Sequence, residues 1–222
     1  MNTIGIILAG GTGERFKNNL PKQYMIFNKK SLIQYVIDAF IDVNDFDEII
    51  VVMDKKYKYL IKGSVKIISN GETRQKSCYN ALKYISDNFP NCENVIISEA
   101  CRPCIKKETL LKCIENLNKY NALITVCKSV NTSCISKNRN DIDKILDRTS
   151  QYDLLMPECF KFKKLYNAFK KVNKNTTSII EIFKLTYPDD KIGIIPIPLW
   201  EGLKLTYPED YKVVKVLLEE KI

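Results

Sequence analysis

With 222 residues and 45% hydrophobic content, the chain is long enough to bury a sizeable core in a single domain, and no second domain is required. Its formal charge of +9 arises from 35 Lys and Arg, mostly Lys, interleaved along the whole length with 26 acids. That scatter suits an anionic small substrate or plain solubility, and it lacks the basic, aromatic stripe of a nucleic-acid binder. The chain has no histidine, which removes His-based triads and most metalloenzyme sites and leaves proton chemistry to Lys, Asp, Glu, Tyr or water.

No apolar run approaches the ~18 residues of a membrane span. No basic, apolar and cleavage-site segment precedes the first strand, so a cytoplasmic protein with reduced thiols is expected despite eight cysteines. Cys101 and Cys104 form a C-x-x-C, but no second pair stands at zinc spacing, so these read as structural thiols.

In chain order, IGIILAG (4–10) reads as a buried strand, SLIQYVIDAFI (31–41) as a helix, and EIIVVMD (48–54) and VKIIS (65–69) as strands. TRQKSCYNALKYISDNF (73–89) then reads as a helix and NVIISEA (94–100) as a strand. In the first helix Ser31 is the expected N-cap, and Ile33, Val36, Ile37 and Phe40 form one apolar face. Further on, 106–120 is helical, ALITVC (122–127) and IGIIPIP (192–198) are strands, and a last helix starts near Pro208. Continuous apolar strands separated by helices predict an α/β fold with a mostly parallel central sheet, Rossmann-like, with ligands at the carboxyl ends of the strands. Residues 130–150, VNTSCISKNRNDIDKILDRTS, depart from that rhythm. They read as a protruding β-hairpin arm with a polar tip, of the kind that buries its apolar residues in a partner.

The chemistry begins with GIILAGGTGERF (5–16), where Gly10, Gly11 and Gly13 permit a sharp turn and let successive N–H groups face an anion. The stretch matches neither G-x-x-x-x-G-K-[ST] nor G-x-G-x-x-G. Arg15 and Lys22 follow within one loop, and Pro21 stiffens the approach; two cations beside an amide nest suit a polyphosphate. A solvated loop carrying two cations is the plainer alternative.

LAGGTGERF followed by LPKQY resembles the signature of the cytidylyltransferases that act on small polyol phosphates, the 2-C-methyl-D-erythritol 4-phosphate and D-ribitol 5-phosphate enzymes. NGETRQKSCYNAL, SEACRPCI, ILDRT and GLKLTYPED continue the resemblance in the family's order across nearly the whole chain. The resemblance implies a single nucleotidyltransferase domain over 1–222 that transfers CMP from CTP with Mg²⁺, works as a homodimer joined through the 130–150 arm, and uses Arg15, Lys22 and Lys204 in catalysis. CTP would be held by Leu8, Ala9, Gly10, Gly11, Gly13, Gly71, Arg74, Ser77 and Ala100, and the metal by Glu99. Arg102, Thr132, Arg148 and Lys204 would bind the second substrate, Thr132 and Arg148 across the dimer. Read from the residues, Thr73 or Ser77 caps a helix equally well, Arg74 is a surface residue or a loop anchor, and Arg102 contacts substrate or pairs with a core acid.

Several positions depart from the family. Glu99 replaces an Asp and Ser98 the His before it; Leu155, Met156, Pro157 and Glu158 replace Gln-Thr-Pro-Gln; and Gly202 replaces an Asn. These changes fall in the acceptor half and predict an altered acceptor, a polyol phosphate such as ribitol 5-phosphate destined for a surface polysaccharide. The alternatives are the 2-C-methyl-D-erythritol 4-phosphate enzyme, a sugar nucleotidyltransferase using UTP or dTTP, and a degraded nucleotide-binding protein.

Overall fold

The computed structural model describes residues 2–13, 16, 20–172, 176 and 178–220. Arg15 lies outside the described residues. The chain opens with β1 (Thr3–Leu8), a two-residue ribbon of β2 (Ile26–Phe27) and β3 (Lys30–Ser31), α1 (Leu32–Ile41), β4 (Glu48–Met53) and β5 (Lys66–Ser69). It continues through α2 (Arg74–Asn88), β6 (Asn94–Glu99), α3 (Lys107–Asn116), β7 (Ala122–Lys128), β8 (Cys134–Ile135) and β9 (Lys144–Ile145). β10 (Tyr152–Lys161), α4 (Phe162–Lys171), α5 (Ile179–Thr186), β11 (Ile192–Pro196) and α6 (Asp210–Glu220) complete it.

Seven strands form one sheet in the order β11-β7-β10-β6-β1-β4-β5. All neighbours are parallel except β10, which runs antiparallel to both β6 and β7. Side chains alternate across the pleat, so Ile4, Ile6 and Leu8 of β1 join a core beneath α2, α4 and α5, while Ile7 joins a second core beneath α1 and α3. Ile33, Val36, Ile37 and Phe40 are all fully buried in that second core, as the helical spacing predicts. Helices on both faces make the continuous apolar strands of the sequence a requirement of burial.

Ser31 stands at the N-cap position of α1, but its hydroxyl makes no capping bond and donates instead to the Leu60 carbonyl at 2.9 Å. The expected cap is therefore a tether between α1 and the 3-10 turn at Lys55–Leu60. The 130–150 arm is present as the β8/β9 hairpin, paired Cys134 with Ile145 and Ile135 with Lys144. Nearly every residue of the arm is exposed. All eight cysteines are unpaired thiols. Among the described residues no helix is long and apolar enough to cross a membrane.

Candidate active site

Parallel strands bring their carboxyl ends to one edge of the sheet, and there Leu8 of β1, the loop after it, the turn after β5 and Glu99 at the end of β6 meet. They enclose a cavity of about 490 Å³. Leu8, Ala9, Gly10, Gly11 and Gly13 form one wall; Gly71, Arg74 and Ser77 face them. Glu99, Ala100, Lys22 and Lys204 also line it, so all nine predicted CTP-site residues are brought together. Glycine is required at two points of the loop: Gly13 has φ +77°, and a Cβ on Gly10 would sit 2.4 Å from the Asn70 Cβ.

The loop is braced by a side chain that sequence reasoning passed over. Gln23 Nε2 donates to the Ala9 carbonyl at 2.8 Å and to the Gly11 carbonyl at 2.7 Å, and the Tyr24 hydroxyl donates to Ala9 at 3.2 Å. Committing those carbonyls to buried side chains removes acceptors that would repel a phosphate from the cavity. The signal lay in the residue after Lys22, a glutamine that the hydrophobic pattern gave no reason to bury. On the opposite wall the capping question is resolved. Thr73 Oγ1 accepts from the Lys76 amide at 3.0 Å and caps α2, which frees Ser77 Oγ to accept from the Gly71 amide at 3.0 Å.

Glu99 is buried at the centre of a ring of cations. Lys204 Nζ lies 2.7 Å from its Oε2, Arg74 Nε 3.0 Å from its Oε1, and Arg102 Nε 3.3 Å from its Oε2. Burial alone would raise the Glu99 carboxyl, but Lys204, Arg74 and Arg102 outweigh it and lower it to about 2. Of the two readings of Arg102 the structure shows the pairing with an acid, which is Glu99 itself; Arg102 does not line the cavity, and its guanidinium also donates to the Gly202 carbonyl. Arg74 is a loop anchor and more, for its Nη2 also stands 3.7 Å from Glu158 Oε1 on β10. Four cations, Lys22, Arg74, Arg102 and Lys204, stand at or beside the cavity with three carboxylates, Glu72, Glu99 and Glu158, an excess of positive charge that attracts a polyanion. Thr132 and Arg148 do not line the cavity. Both are exposed on the arm, where Arg148 Nη1 donates to the Val130 carbonyl at 3.2 Å.

Glu158 is the second residue that the sequence left unassigned. Burial raises its carboxyl to about 7, because Arg74 is shared with Glu99 and the α5 amides, of which Ile180 N at 3.0 Å is one, compensate only in part. The unfolded chain ionises this group near 4.5 and the folded chain near 7, so stability is lost as pH rises across that window. Glu158→Gln is expected to raise the unfolding free energy by about 3 kcal/mol at pH 8 and by almost nothing at pH 4.5, as read from urea midpoints. An equal effect at both pH values would show that the carboxylate is not strained.

The chain matches the family model "IspD: 2-C-methyl-D-erythritol 4-phosphate cytidylyltransferase" over residues 3–220. A 2-C-methyl-D-erythritol 4-phosphate cytidylyltransferase of Thermosipho melanesiensis is 34% identical over 176 residues, covering 75% of this chain and 76% of that protein. The bifunctional ribulose 5-phosphate reductase/CDP-ribitol pyrophosphorylase Bcs1 of Haemophilus influenzae is 29% identical over 98% of this chain, which spans about half of its length, 48%. In fold the chain is similar to the 4-diphosphocytidyl-2C-methyl-D-erythritol synthase of Anaerococcus prevotii, with TM-score 0.84, 24% identity and 98% of each chain covered. Matched end to end by the family model and built around a cation-ringed carboxylate beside a glycine loop, the chain belongs to the 2-C-methyl-D-erythritol 4-phosphate cytidylyltransferase family and is a CTP-dependent nucleotidyltransferase.

Proposed function

We propose that the protein transfers the cytidylyl group of CTP to 2-C-methyl-D-erythritol 4-phosphate and releases pyrophosphate. The acceptor phosphate oxygen forms a bond to the α-phosphorus while the bond to the bridging oxygen breaks and its electron pair leaves with pyrophosphate. The attacking phosphate is already anionic, so the step needs positioning and charge stabilisation rather than a strong base, which suits a chain without histidine. Lys22, Lys204 and Arg15 take the charge that develops on the α-phosphate and leaving group, while the glycine loop, Gly71, Arg74, Ser77 and Ala100 hold the nucleotide.

The observation that carries this reading is the Glu99 ring on the wall of a glycine-loop cavity, in a chain of this family. Two of the departures that had suggested another acceptor have a local account: Glu158 shares Arg74 with Glu99, and Gly202 makes room for Leu155. The methylerythritol phosphate reading is supported above the expected altered acceptor by the family match and by the relatives that carry that activity in their names. Ribitol 5-phosphate is kept as the second reading because of the Haemophilus relative.

Mg²⁺ fits the donors present. It takes one or two protein carboxylates and fills its remaining positions with phosphate oxygens and water. Glu99 is a single carboxylate on the cavity wall, and no group of three or more acids or thiols competes for the ion among the described residues. Both Glu99 oxygens are engaged by cations, so the ion is best accommodated together with a triphosphate that draws those cations off. When bound, Mg²⁺ would supply Lewis-acid neutralisation of phosphate charge.

The arm supports pairing of two copies, since Val130, Ile142 and Ile145 leave 65–68% of their surface in water. Thr132 and Arg148 would then act on a partner's acceptor. Pyrophosphate release with Mg²⁺ and CTP or UTP, against methylerythritol phosphate and ribitol 5-phosphate, tests the proposal, with sedimentation of the same sample for the dimer. Release with CTP and methylerythritol phosphate at least about 10-fold faster than with any other pair is expected. Faster turnover of ribitol 5-phosphate would replace the acceptor, and CTP binding without release would make the chain a nucleotide-binding protein.

A further inference from the structure

β10 breaks register between Leu154 and Glu158 where it runs beside β7, and the residues in the break turn toward the supports of Glu99. Arg74 Nη2 lies 3.9 Å from Met156 Sδ on one side. Buried Leu155 reaches the other side, over Gly202: a Cβ on Gly202 would fall 2.5 Å from Leu155 Cδ1 and 3.0 Å from its Cγ. The φ of Gly202 lies outside the left-handed region, so the demand for glycine here is steric.

The segment around Gly202 is tied at four points to the end of β6 and the chain that follows it. The Glu201 carboxylate accepts from the Lys106 amide at 3.1 Å, the Gly202 carbonyl accepts from Arg102, Lys204 Nζ meets Glu99 at 2.7 Å, and the Leu205 amide donates to Cys101 at 2.9 Å. Leu155 presses on this segment from the β10 side. Irregularities of this kind re-aim side chains next to active sites, and a close-packed interior transmits a small displacement rather than absorbing it.

We propose that Leu155 and Gly202 are a matched steric pair, a positioning contact through which the break in β10 sets the segment that carries Lys204 against Glu99. The assignment rests on the functional reading above only for the role of Lys204. A methyl group at 202 pushes that segment away from Leu155, moving Lys204 and the acceptor of Arg102 together, and misplacement on the scale of 1 Å can cost about 10²-fold in rate.

Gly202→Ala is expected to lower kcat/KM for the acceptor phosphate at least about 10-fold with KM for CTP within about twofold, because Gly202 is not among the residues that line the nucleotide cavity. Adding Leu155→Ala to Gly202→Ala is expected to recover most of that loss. Leu155→Met is run in parallel, because truncating a buried leucine can itself unfold the chain, whereas methionine keeps the volume and lets the side chain bend away. Full activity of Gly202→Ala, or losses that simply add in the double variants, overturns the pair. Should the wild-type protein turn over no acceptor, the functional reading fails by itself, and thermal midpoints of the wild type, Gly202→Ala, the two single leucine variants and the two double variants still decide the pair. A Gly202→Ala destabilisation relieved by either leucine substitution supports it, and additive shifts overturn it.

Discussion

Lys22→Ala is expected to cut kcat/KM for cytidylyl transfer by about 10² or more, with a thermal midpoint close to that of the wild type. Lys22 is 9% exposed and opens the 3-10 turn Lys22–Tyr24, so its stem is held by the fold while it contributes to the cavity wall. Its Nζ lies 3.5 Å from the Thr206 carbonyl, a long contact that ties the loop after β1 to the C-terminal segment beside the cavity. A cation placed in this way gains most from charge that appears only as pyrophosphate departs, so the loss should fall mainly on kcat at saturating CTP. A removed charge-stabilising donor in a water-poor site costs roughly 2 to 4 kcal/mol, which corresponds to the stated factor. Near-normal kcat would mean that the lysine is a solvated loop residue and that the charge on the leaving group is met elsewhere.

Glu99→Gln is expected to act on both activity and folding. The amide keeps the shape but leaves Arg74, Arg102 and Lys204 converging on a neutral group, so their mutual repulsion is no longer compensated. Transfer activity should fall by about 10² or more if the carboxylate holds Mg²⁺ and orders the three cations. Stability follows from the titration. Glu99 ionises near 4.5 in the unfolded chain and near 2 in the folded one, so its contribution of about 3 kcal/mol is complete above pH 4.5 and is lost as pH falls toward 2. The stability gap between wild type and variant in urea should therefore be widest at neutral pH and narrow steadily at pH 4 and pH 3. A gap that does not change with pH would show that Glu99 acts through shape alone.

The sequence made the parallel half of the sheet legible because those strands are buried on both faces and leave uninterrupted apolar runs, as in β1, β4 and β6. It did not disclose β10. QYDLLMPECFKF mixes acids with apolar residues and carries Pro157, which speaks against an interior strand. The register break between Leu154 and Glu158 is what accommodates the proline in the middle of the sheet. The same blind spot hid Glu158, whose partner Arg74 is 84 positions earlier in the chain, and left Gly202 looking like a lost contact when it is space for Leu155. The resemblance to the family's motifs pointed to Lys22, Gly71, Ser77, Glu99 and Lys204, and all five line the cavity. It could not locate Gln23, whose importance depends on which carbonyls the folded loop turns toward it.

The placement of β10 also bears on how the chain comes together. β5, β4, β1 and β6 form one contiguous block and β7 with β11 another, and in the sheet order the two blocks meet only across β10. The strand that joins them is supplied by residues 152–161, after the arm has already left and returned. A nascent chain that stops short of residue 152 leaves one border of β6 and both borders of β7 bare, each able to recruit a foreign strand. The ring around Glu99 cannot close before that insertion, because Arg74 belongs to the first block, Lys204 follows β11, and Leu155 and Glu158 arrive with the wedge itself. Active-site assembly is thus coupled to the insertion of β10 that joins the two blocks of the sheet.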